Sequence, residues 1–395
     1  MKVFVINSVF GIRSTGRICG DIAAQLHECG HECRSAYGRA HVPEQYKQYA
    51  VSVGSRAGVV MHALCARIFD TAGLGSRRAT RKLVEQIREY DPDIIHLHNL
   101  HGYYLNVKIL FDYLKEADKP VVWTLHDCWS FTGHCAHFAA ADCGKWRTQC
   151  GDCPLKTRYP ASLVMDRSAK NFQEKRAAFT GVKNLTLVSP SRWLAELAGK
   201  SFLSEYPVRV IPNGIDTDIF KPTPGEMRQR YHLEDKKIVM GAASAWDESK
   251  GLSDLLRLAQ MLPEEYAVVL VGLTHKQRRR LPANVTGIDC TDSPRTLAQL
   301  YTAADVFVNP TYEDTYPTVN LEAQACGTPV ITYRTGGSPE SVPEQNVVET
   351  GDVHALAEKI LSGTAGCSKD TDCRREQMAE RYIALYHKML ESKTD

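Results

Sequence analysis

The stretch that most constrains the fold of this chain covers residues 305–342. It begins with the short apolar run Asp-Val-Phe-Val, passes through a polar loop and a helical segment that ends at Gly327, and resumes with Val-Ile-Thr. Short apolar runs that alternate with helical segments indicate buried strands of a parallel sheet. Glycine suits the residue after a helix because it adopts a left-handed backbone without strain. The stretch therefore predicts a strand, a helix and a strand of an α/β fold.

The same stretch predicts two helix starts that follow strand ends. One helix is predicted to start near Thr318 and another after Gly337. In an open parallel sheet, ligands bind beyond the carboxyl ends of the strands. Unpaired backbone N–H groups and the positive end of the helix dipole suit an anion. We therefore expect an anionic ligand here, held in part by backbone amides of residues 315–319.

The order of Asp314, seven intervening residues, Glu322 and the Gly336-Gly337 pair resembles the donor-sugar motif of retaining GT-B glycosyltransferases, and more narrowly of family 4. In that family a glutamate stands at the first position, which Asp314 occupies here, and Glu313 lies one residue earlier. The resemblance implies that Glu322 holds the ribose hydroxyls, since a carboxylate accepts two hydrogen bonds from a vicinal diol. The implied fold is α/β, with two Rossmann-like doubly wound domains that face each other across a cleft.

Further segments carry positions that the resemblance assigns to the site. His126 matches a histidine that contacts the transferred sugar, and Asp127 beside it is a candidate to position the acceptor hydroxyl or to cap a helix. His98, at the neighbouring predicted strand end, is interpreted as a structural hydrogen-bonding residue. Lys250 matches a lysine on the donor diphosphate, whereas Ala245 stands where the family carries an arginine. The predicted catalytic residues are His126, Asp127 and Asp314, and the predicted donor-binding residues are Gly16, Arg17, Lys250, Glu313, Asp314, Thr315, Tyr316, Thr318, Val319 and Glu322.

Strand and helix patterns alternate along both halves of the chain, which predicts two parallel sheets. With 395 residues the chain is long enough for two domains that each have a core. We expect an acceptor domain in residues 1–206 and a nucleotide-sugar-binding domain in residues 207–373. We expect the last helix, in residues 374–395, to pack back on the first domain. The run Pro-Asn-Gly-Ile-Asp at residues 212–216 is typical of family 4 at the crossing between domains.

Residues 128–160 form a cysteine-rich insert in the first domain. Cys135, Cys143, Cys150 and Cys153 have the spacing C-x7-C-x6-C-x2-C, and the last two belong to the run Cys-Gly-Asp-Cys-Pro. A C-x2-C turn aims two thiolates at one point, and four thiolates close a tetrahedral shell, so the pattern favours a structural Zn²⁺. Four reduced cysteines without a metal are the main alternative, and a disulfide is a weaker one. The pattern also resembles a cysteine-containing subset of family 4 enzymes of polysaccharide biosynthesis.

Charge and composition narrow the partners and the compartment. The formal net charge is +2, which gives no sign of nucleic-acid binding. No apolar run approaches the ~20 residues that a membrane span requires. The first residues have a strand pattern without the apolar core of a signal peptide, and the thirteen cysteines suit a reducing compartment. We expect a cytoplasmic protein with at most peripheral contact with the inner face of the cell membrane.

The resemblance implies a retaining glycosyltransferase of the hexosyltransferase type. It is expected to move a sugar from a UDP- or GDP-linked donor to a hydroxyl of a glycan or of a polyprenyl-diphosphate-linked acceptor, in bacterial surface polysaccharide synthesis. No catalytic metal is expected. Two alternatives stay open, namely a non-catalytic nucleotide-sugar-binding protein and a GT-B sugar epimerase.

Overall fold

The structure is a computed structural model that describes residues 1–367 and 373–392. Contacts divide the chain into two compact units, one formed by Met1–Asn213 together with the chain from Glu376 onward, and the other by Gly214–Arg375. Within the described ranges, no helix is both long enough and apolar enough to cross a membrane.

The first unit is built on a parallel sheet that has seven strands in the described residues. The strands are β1 (Lys2–Asn7), β2 (Glu32–Tyr37), β3 (Ala50–Ser52), β4 (Ile94–Leu97), β5 (Val121–Thr124), β6 (Leu185–Ser189) and β7 (Val208–Val210). Their spatial order is β3-β2-β1-β4-β5-β6-β7, so the order reverses between β1 and β4. In such sheets the crevice at the reversal, beyond the strand ends, is where ligands bind.

Helices that connect these strands cover both faces of the sheet. They are α1 (Arg13–Glu28), α2 (Arg56–Phe69), α3 (Arg77–Tyr90), α4 (Val107–Ala117), α5 (Ser168–Phe179) and α6 (Arg192–Gly199), with short 3-10 helices at Glu44–Tyr49, Trp129–Phe131, Ala139–Ala141 and Lys145–Arg147. Side chains of Ser55, Asn106 and Ser191 accept a backbone N–H and cap α2, α4 and α6. The caps fix where these helices begin relative to the strand ends.

The first helix begins earlier than the sequence indicates. Glycine and polar residues at 8–20 predict a loop before a helix at 21–27, yet α1 starts at Arg13. A Cβ atom at Gly16 would lie 3.1 Å from the side chain of Val9. The glycine therefore allows the helix to pack closely on the chain that precedes it.

The second unit has the same kind of sheet, with six parallel strands in the described residues. The strands are β8 (Lys237–Ala242), β9 (Tyr266–Val271), β10 (Val285–Ile288), β11 (Val306–Asn309), β12 (Val330–Tyr333) and β13 (Val347–Val348), in the order β10-β9-β8-β11-β12-β13. The helices are α7 (Met227–Arg230), α8 (Leu252–Met261), α9 (His275–Arg278), α10 (Pro294–Ala303), α11 (Thr318–Ala325) and α12 (Val353–Ser362), with 3-10 helices at Glu248–Lys250, Ser338–Ser341 and Glu344–Asn346. The strands and the helix predicted from residues 305–342 are confirmed as β11, β12 and α11. The strand order reverses between β8 and β11.

The helix α13 (Arg375–Glu391) completes the first unit. Its residues Met378, Tyr382 and Tyr386 are buried in the apolar layer that also contains residues of β1 and α1. A hydrogen bond of 2.7 Å joins the Tyr386 hydroxyl to Nδ1 of His96, and the Thr124 hydroxyl donates to that of Tyr382 at 3.0 Å. The helix therefore satisfies polar groups of the central strands β4 and β5.

Candidate functional site

In the second unit, the loops that follow β8 and β11 meet through a charged pair. Lys250 Nζ lies 2.8 Å from Asp314 Oδ2 and donates to the carbonyl of Glu313 at 3.2 Å. Burial alone would lower the pKa of Lys250, but the charge of Asp314 and its hydrogen bond raise that pKa. The ammonium group is therefore charged, and it stands where the strand order reverses. The structure brings together these three predicted residues.

Two glycines allow the loops of this site to touch through their backbones. A Cβ atom at Gly251 would lie 2.1 Å from the carbonyl oxygen of Pro310, and one at Gly336 would lie 2.0 Å from that of Asp314. Both glycines also have positive φ, +70° and +57°, which side chains rarely adopt. The Gly337 N–H donates to the Asp314 carbonyl at 3.1 Å. The loop after β8, the loop after β11 and the glycine turn after β12 form one closely packed edge.

Glu322 lies on α11 and is almost fully buried. Its Oε2 accepts a hydrogen bond of 3.2 Å from the hydroxyl of Tyr301, which is itself buried on α10. The remaining predicted donor residues lie before and within the first turn of this helix, namely Thr315, Tyr316, Thr318 and Val319. The N-cap residue Pro317 provides no side-chain cap for the backbone N–H groups at the start of this helix.

In the first unit, histidines cluster at the ends of β4 and β5. His98 Nδ1 lies 2.9 Å from His126 Nε2, and the rings of His96 and His98 are 4.0 Å apart. Burial lowers the pKa of His126 to about 4 and that of His96 to about 3, so both are neutral near pH 7. His98 Nε2 is buried and has no hydrogen-bond partner within residues 1–367 and 373–392. The contact between His98 and His126 therefore ties the end of β4 to the end of β5.

Asp127 is joined to two residues that the sequence analysis missed. His101 Nε2 donates to Asp127 Oδ2 at 2.7 Å, and His101 Nδ1 lies 2.9 Å from the hydroxyl of Tyr159. Asp127 Oδ1 also accepts the N–H of Trp129 at 2.9 Å, but the N-cap of the 3-10 helix that follows is Cys128, so Asp127 is not the helix N-cap that the sequence offered as an alternative. Burial opposes its charge, but His101 and the Trp129 N–H hold the pKa of Asp127 at about 2. The second histidine in the run His98-Asn-Leu-His101 is the signal that could have revealed the chain of hydrogen bonds.

Gly16 and Arg17 lie in the first turns of α1. The Gly16 carbonyl accepts the Gly11 N–H at 2.7 Å, and Arg17 is exposed. Both residues are therefore at the start of the helix that follows β1, beside the reversal of strand order in the first sheet.

The four cysteines of the insert, Cys135, Cys143, Cys150 and Cys153, line one small cavity. A hydrogen bond between Cys135 and Cys153 lowers the pKa of the latter, and the Gly133 N–H donates to Cys150 Sγ at 3.2 Å. As the side chains stand, no three His, Cys, Asp or Glu residues of the described ranges are arranged to hold a metal ion. Four cysteine thiols around one cavity match the ligand type and number of a structural zinc site. To bind the ion, the thiols would have to lose their protons and move closer together.

Comparison with known proteins agrees with this architecture. The family described as "Glycosyltransferase Family 4" matches residues 15–219, and the one described as "Glycosyl transferases group 1" matches residues 236–363. The chain is 27% identical over 374 residues to WcaC of Escherichia coli (strain K12), with 89% of this chain and 90% of that protein covered. The name of WcaC assigns it provisionally to colanic acid biosynthesis as a glycosyl transferase.

Solved structures of other proteins share the whole fold. Sucrose-phosphate synthase from Thermosynechococcus elongatus has a TM-score of 0.71 at 18% identity and covers 99% of both chains. HepE from Anabaena, solved in complex with UDP-glucose, has a TM-score of 0.63 at 17% identity and covers 100% of this chain and 99% of its own. The protein described here is thus a glycosyltransferase with the GT-B fold. The chain belongs to glycosyltransferase family 4.

Proposed function

We propose that this protein is a retaining glycosyltransferase that moves a sugar from a nucleotide-diphosphate sugar to an acceptor hydroxyl. The observation that carries the proposal is the ion pair, 2.8 Å long, between Lys250 in the loop after β8 and Asp314 in the loop that leads into α11. An ammonium group and a helix N-terminus are the groups that bind a diphosphate, and the buried carboxylate of Glu322 in the same helix suits a ribose.

The proposed donor is a UDP- or GDP-sugar, and the complex of HepE with UDP-glucose supports a uridine nucleotide. In this proposal Glu322, oriented by Tyr301, accepts hydrogen bonds from the two ribose hydroxyls. Lys250 exchanges Asp314 for the diphosphate, and backbone N–H groups at Thr318 and Val319 share its charge. Glu313, Asp314, Thr315 and Tyr316 line the sugar side, and Gly16 and Arg17 take part in binding the donor.

The proposed reaction needs no protein nucleophile. The bond between the anomeric carbon and the diphosphate breaks, and the acceptor oxygen bonds to that carbon on the face that the nucleotide leaves. The acceptor proton passes to the leaving phosphate oxygen, so no catalytic metal is required in this scheme. Fixed positive groups stabilise the charge that grows on the diphosphate.

We assign the acceptor side to the first unit. His126, neutral because it is buried, is proposed to contact the transferred sugar. Asp127, held by His101 and Tyr159, is proposed to position the acceptor hydroxyl, which reduces the entropic barrier to attack. The acceptor is proposed to be a glycan or a lipid-linked sugar of bacterial surface polysaccharide synthesis, and the resemblance to WcaC supports this class. The proposal places residues 1–206 on the acceptor side and residues 207–373 on the donor side, in a cytoplasmic protein.

Donor binding and turnover test this function together. Calorimetry with UDP, GDP and ADP should select one nucleotide, and Glu322→Gln should weaken its binding by about tenfold or more, because one charge-assisted contact is lost. Lys237→Ala is the matched control, since Lys237 pairs only on the surface with Glu265 at 3.3 Å. Acceptor-dependent release of nucleotide supports a transferase. If the protein binds the donor but releases no nucleotide with any acceptor tested, it is a non-catalytic binding protein. If it converts a free UDP-sugar without an acceptor, it is an epimerase.

We also propose a structural Zn²⁺ bound by Cys135, Cys143, Cys150 and Cys153. The shared cavity and the N–H donor to Cys150 support this set. Metal analysis of the purified protein should find about one zinc per chain. Cys150→Ser should lose the metal, whereas Cys290→Ser, at an exposed cysteine outside the insert, should keep it. A metal-free protein whose melting temperature is unchanged by added zinc or by a chelator would contradict this proposal.

A further inference from the structure

The first unit carries a contiguous apolar surface. Of the eleven strongly exposed large apolar side chains in the described residues, eight lie in α2 and in the loop that follows the insert. We call this set the apolar patch, and it consists of Val60, Met61, Leu64, Ile68, Phe69, Leu163, Val164 and Met165. Leu163, Val164 and Met61 are 67%, 63% and 62% exposed. Single exposed apolar residues are common, but a contiguous group marks an interaction site.

Backbone hydrogen bonds join the two segments of the patch. The Leu163 N–H donates to the Arg67 carbonyl at 2.7 Å, and the Met165 N–H donates to the Ile68 carbonyl at 3.1 Å. Lys156 Nζ also donates to the Val164 carbonyl at 3.1 Å. The loop is therefore fixed along the last turn of α2, and the apolar side chains are presented outward by an ordered backbone.

The helix α2 is apolar on two faces. Its inner face packs against Tyr103 through Ala66 and the half-buried Val59. Its outer face carries Met61 and Leu64, which are exposed. A helix that is apolar around most of its circumference is normally buried on all sides. The outer face of α2 therefore requires an apolar environment that the chain itself does not supply in its described part.

The charges beside the patch are mainly positive. The helix α2 contains no acidic residue, and Arg56 and Arg67 are exposed near its two ends. Arg158 is also exposed, a few residues before the loop. Of the neighbouring acids, Asp70 is buried, and the exposed Asp166 has both carboxylate oxygens engaged by backbone N–H groups of Cys153 and Ser168. An anionic surface would therefore meet cations around an apolar centre.

We propose that the apolar patch docks this protein on the surface of an anionic lipid membrane. Interfacial segments bury aliphatic side chains at the boundary of the acyl chains, while arginine and lysine meet lipid phosphates. Protein interfaces are enriched in phenylalanine, methionine and arginine as well, but they add tyrosine and tryptophan and carry direct hydrogen bonds. The patch consists of five aliphatic side chains, two methionines and one phenylalanine, with no tyrosine, tryptophan or polar side chain among them, which fits lipid better than a protein partner.

The patch continues toward the acceptor residues of the same unit. Tyr103, which packs under α2, has its ring 6.3 Å from the ring of Tyr159. Tyr159 is hydrogen-bonded to His101, and His101 to Asp127. A lipid-linked acceptor could thus reach Asp127 from the membrane surface. This last step rests on the proposed function, whereas the docking itself does not.

Vesicle flotation with the full chain tests the docking. The protein should float with vesicles of phosphatidylcholine and phosphatidylglycerol, and less with phosphatidylcholine alone or at high salt. The double variant Leu64→Glu/Leu163→Glu should lose partitioning by about a hundredfold, because it removes two inserted side chains and adds repelled charges. Arg56→Gln/Arg67→Gln should lose about thirtyfold on anionic vesicles only. Leu361→Glu is the matched control, since Leu361 is a similarly exposed residue (47%) of the second unit.

Four outcomes would overturn the proposal. The first is no flotation of the wild-type protein with anionic vesicles at low salt, and the second is unchanged flotation of the Leu64→Glu/Leu163→Glu variant. The third is an equal loss of flotation in Leu361→Glu. The fourth is an oligomeric mass of the wild type in light scattering that falls to the monomer mass only in the Leu64→Glu/Leu163→Glu variant. The last result would assign the patch to a second copy of the chain. Nucleotide binding measured on the same samples should stay at the wild-type level in the patch variants. Normal nucleotide binding together with lost flotation in a patch variant shows that the patch acts in membrane docking only. Absent nucleotide binding in the wild type contradicts the proposed function and leaves the docking proposal untouched.

Discussion

Replacing Lys250 with alanine tests the donor site most directly. Without a donor, the ammonium group bonds to Asp314 at 2.8 Å and to the Glu313 carbonyl at 3.2 Å. The side chains of Lys250 and Asp314 are 33% and 21% exposed, so solvent screens the pair. We therefore expect Lys250→Ala to lower the free energy of unfolding by no more than about 1 kcal/mol.

The expected effect on the donor is much larger. A charge-assisted hydrogen bond contributes about 1.5–3 kcal/mol, which corresponds to about 10- to 150-fold in kcat/KM for the donor. The unpaired Asp314 would also repel the diphosphate, which moves the loss toward the upper end of this range. Adding Asp314→Asn to the Lys250→Ala variant should recover part of the loss, and the four proteins form a double-mutant cycle that measures the coupling.

The assay is the initial rate of nucleotide release across a range of donor concentrations, with the melting temperature recorded on each sample. Lys237→Ala should keep wild-type values in both measurements, because its surface pair with Glu265 is far more exposed. A change in kcat/KM of less than about threefold in Lys250→Ala, with an unaltered melting temperature, would refute the assignment of Lys250 to the diphosphate.

Three further predictions concern other residues. Ala245→Arg should tighten nucleotide binding about tenfold in calorimetry, because it adds an exposed cation where related enzymes carry one; Ala245→Gln is the neutral control, and equal affinities in both variants would contradict the idea. Gly336→Ala should lower the free energy of unfolding in urea by about 2–4 kcal/mol, since its Cβ would lie 2.0 Å from the Asp314 carbonyl oxygen at a φ of +57°. An unchanged urea midpoint would show that the turn relaxes at little cost. The free energy of unfolding should fall as the pH drops from about 6.5 to about 4, because burial lowers the pKa of His126 to about 4 in the folded protein, so the unfolded chain binds more protons in this window. His126→Gln should reduce that dependence without abolishing it, because burial also lowers the pKa of His96, to about 3. A wild-type curve without slope in this range would contradict the argument.

The fold was predictable where local pattern and tertiary role agree. The run that forms β9 is apolar throughout, and the helix that begins at Thr318 ends before a glycine, so each could be located from the sequence. The sequence of residues 38–76 shows no clear pattern of helices or strands, because the apolar residues of α2 surround the helix and do not follow one stripe. Apolar residues on the outer face of a helix weaken the periodic pattern of apolar and polar residues from which helices are predicted.

The candidate site was predictable only as far as spacing along the chain reveals it. Lys250 and Glu322 belong to motifs that can be identified from the order of residues in a single sequence. His101 and Tyr159 are 58 residues apart and meet only in the folded unit. Tyr301 likewise bonds Glu322 from a different helix. Tyr159 and Tyr301 therefore carry no local sequence signal of their contacts, whereas His101 is marked only by its closeness to His98.

The route of α13 has a consequence for how the protein is made. The first unit is interrupted after Asn213 and resumes at Glu376, once the whole second unit has been synthesised. Until then the apolar layer that later holds Tyr382 and Tyr386 is uncovered, and His96 lacks its tyrosine partner. The second unit is synthesised as one uninterrupted segment, so it can fold as soon as it leaves the ribosome. The first unit can complete its core only after α13 has been synthesised, and until then its exposed apolar layer is available to chaperones.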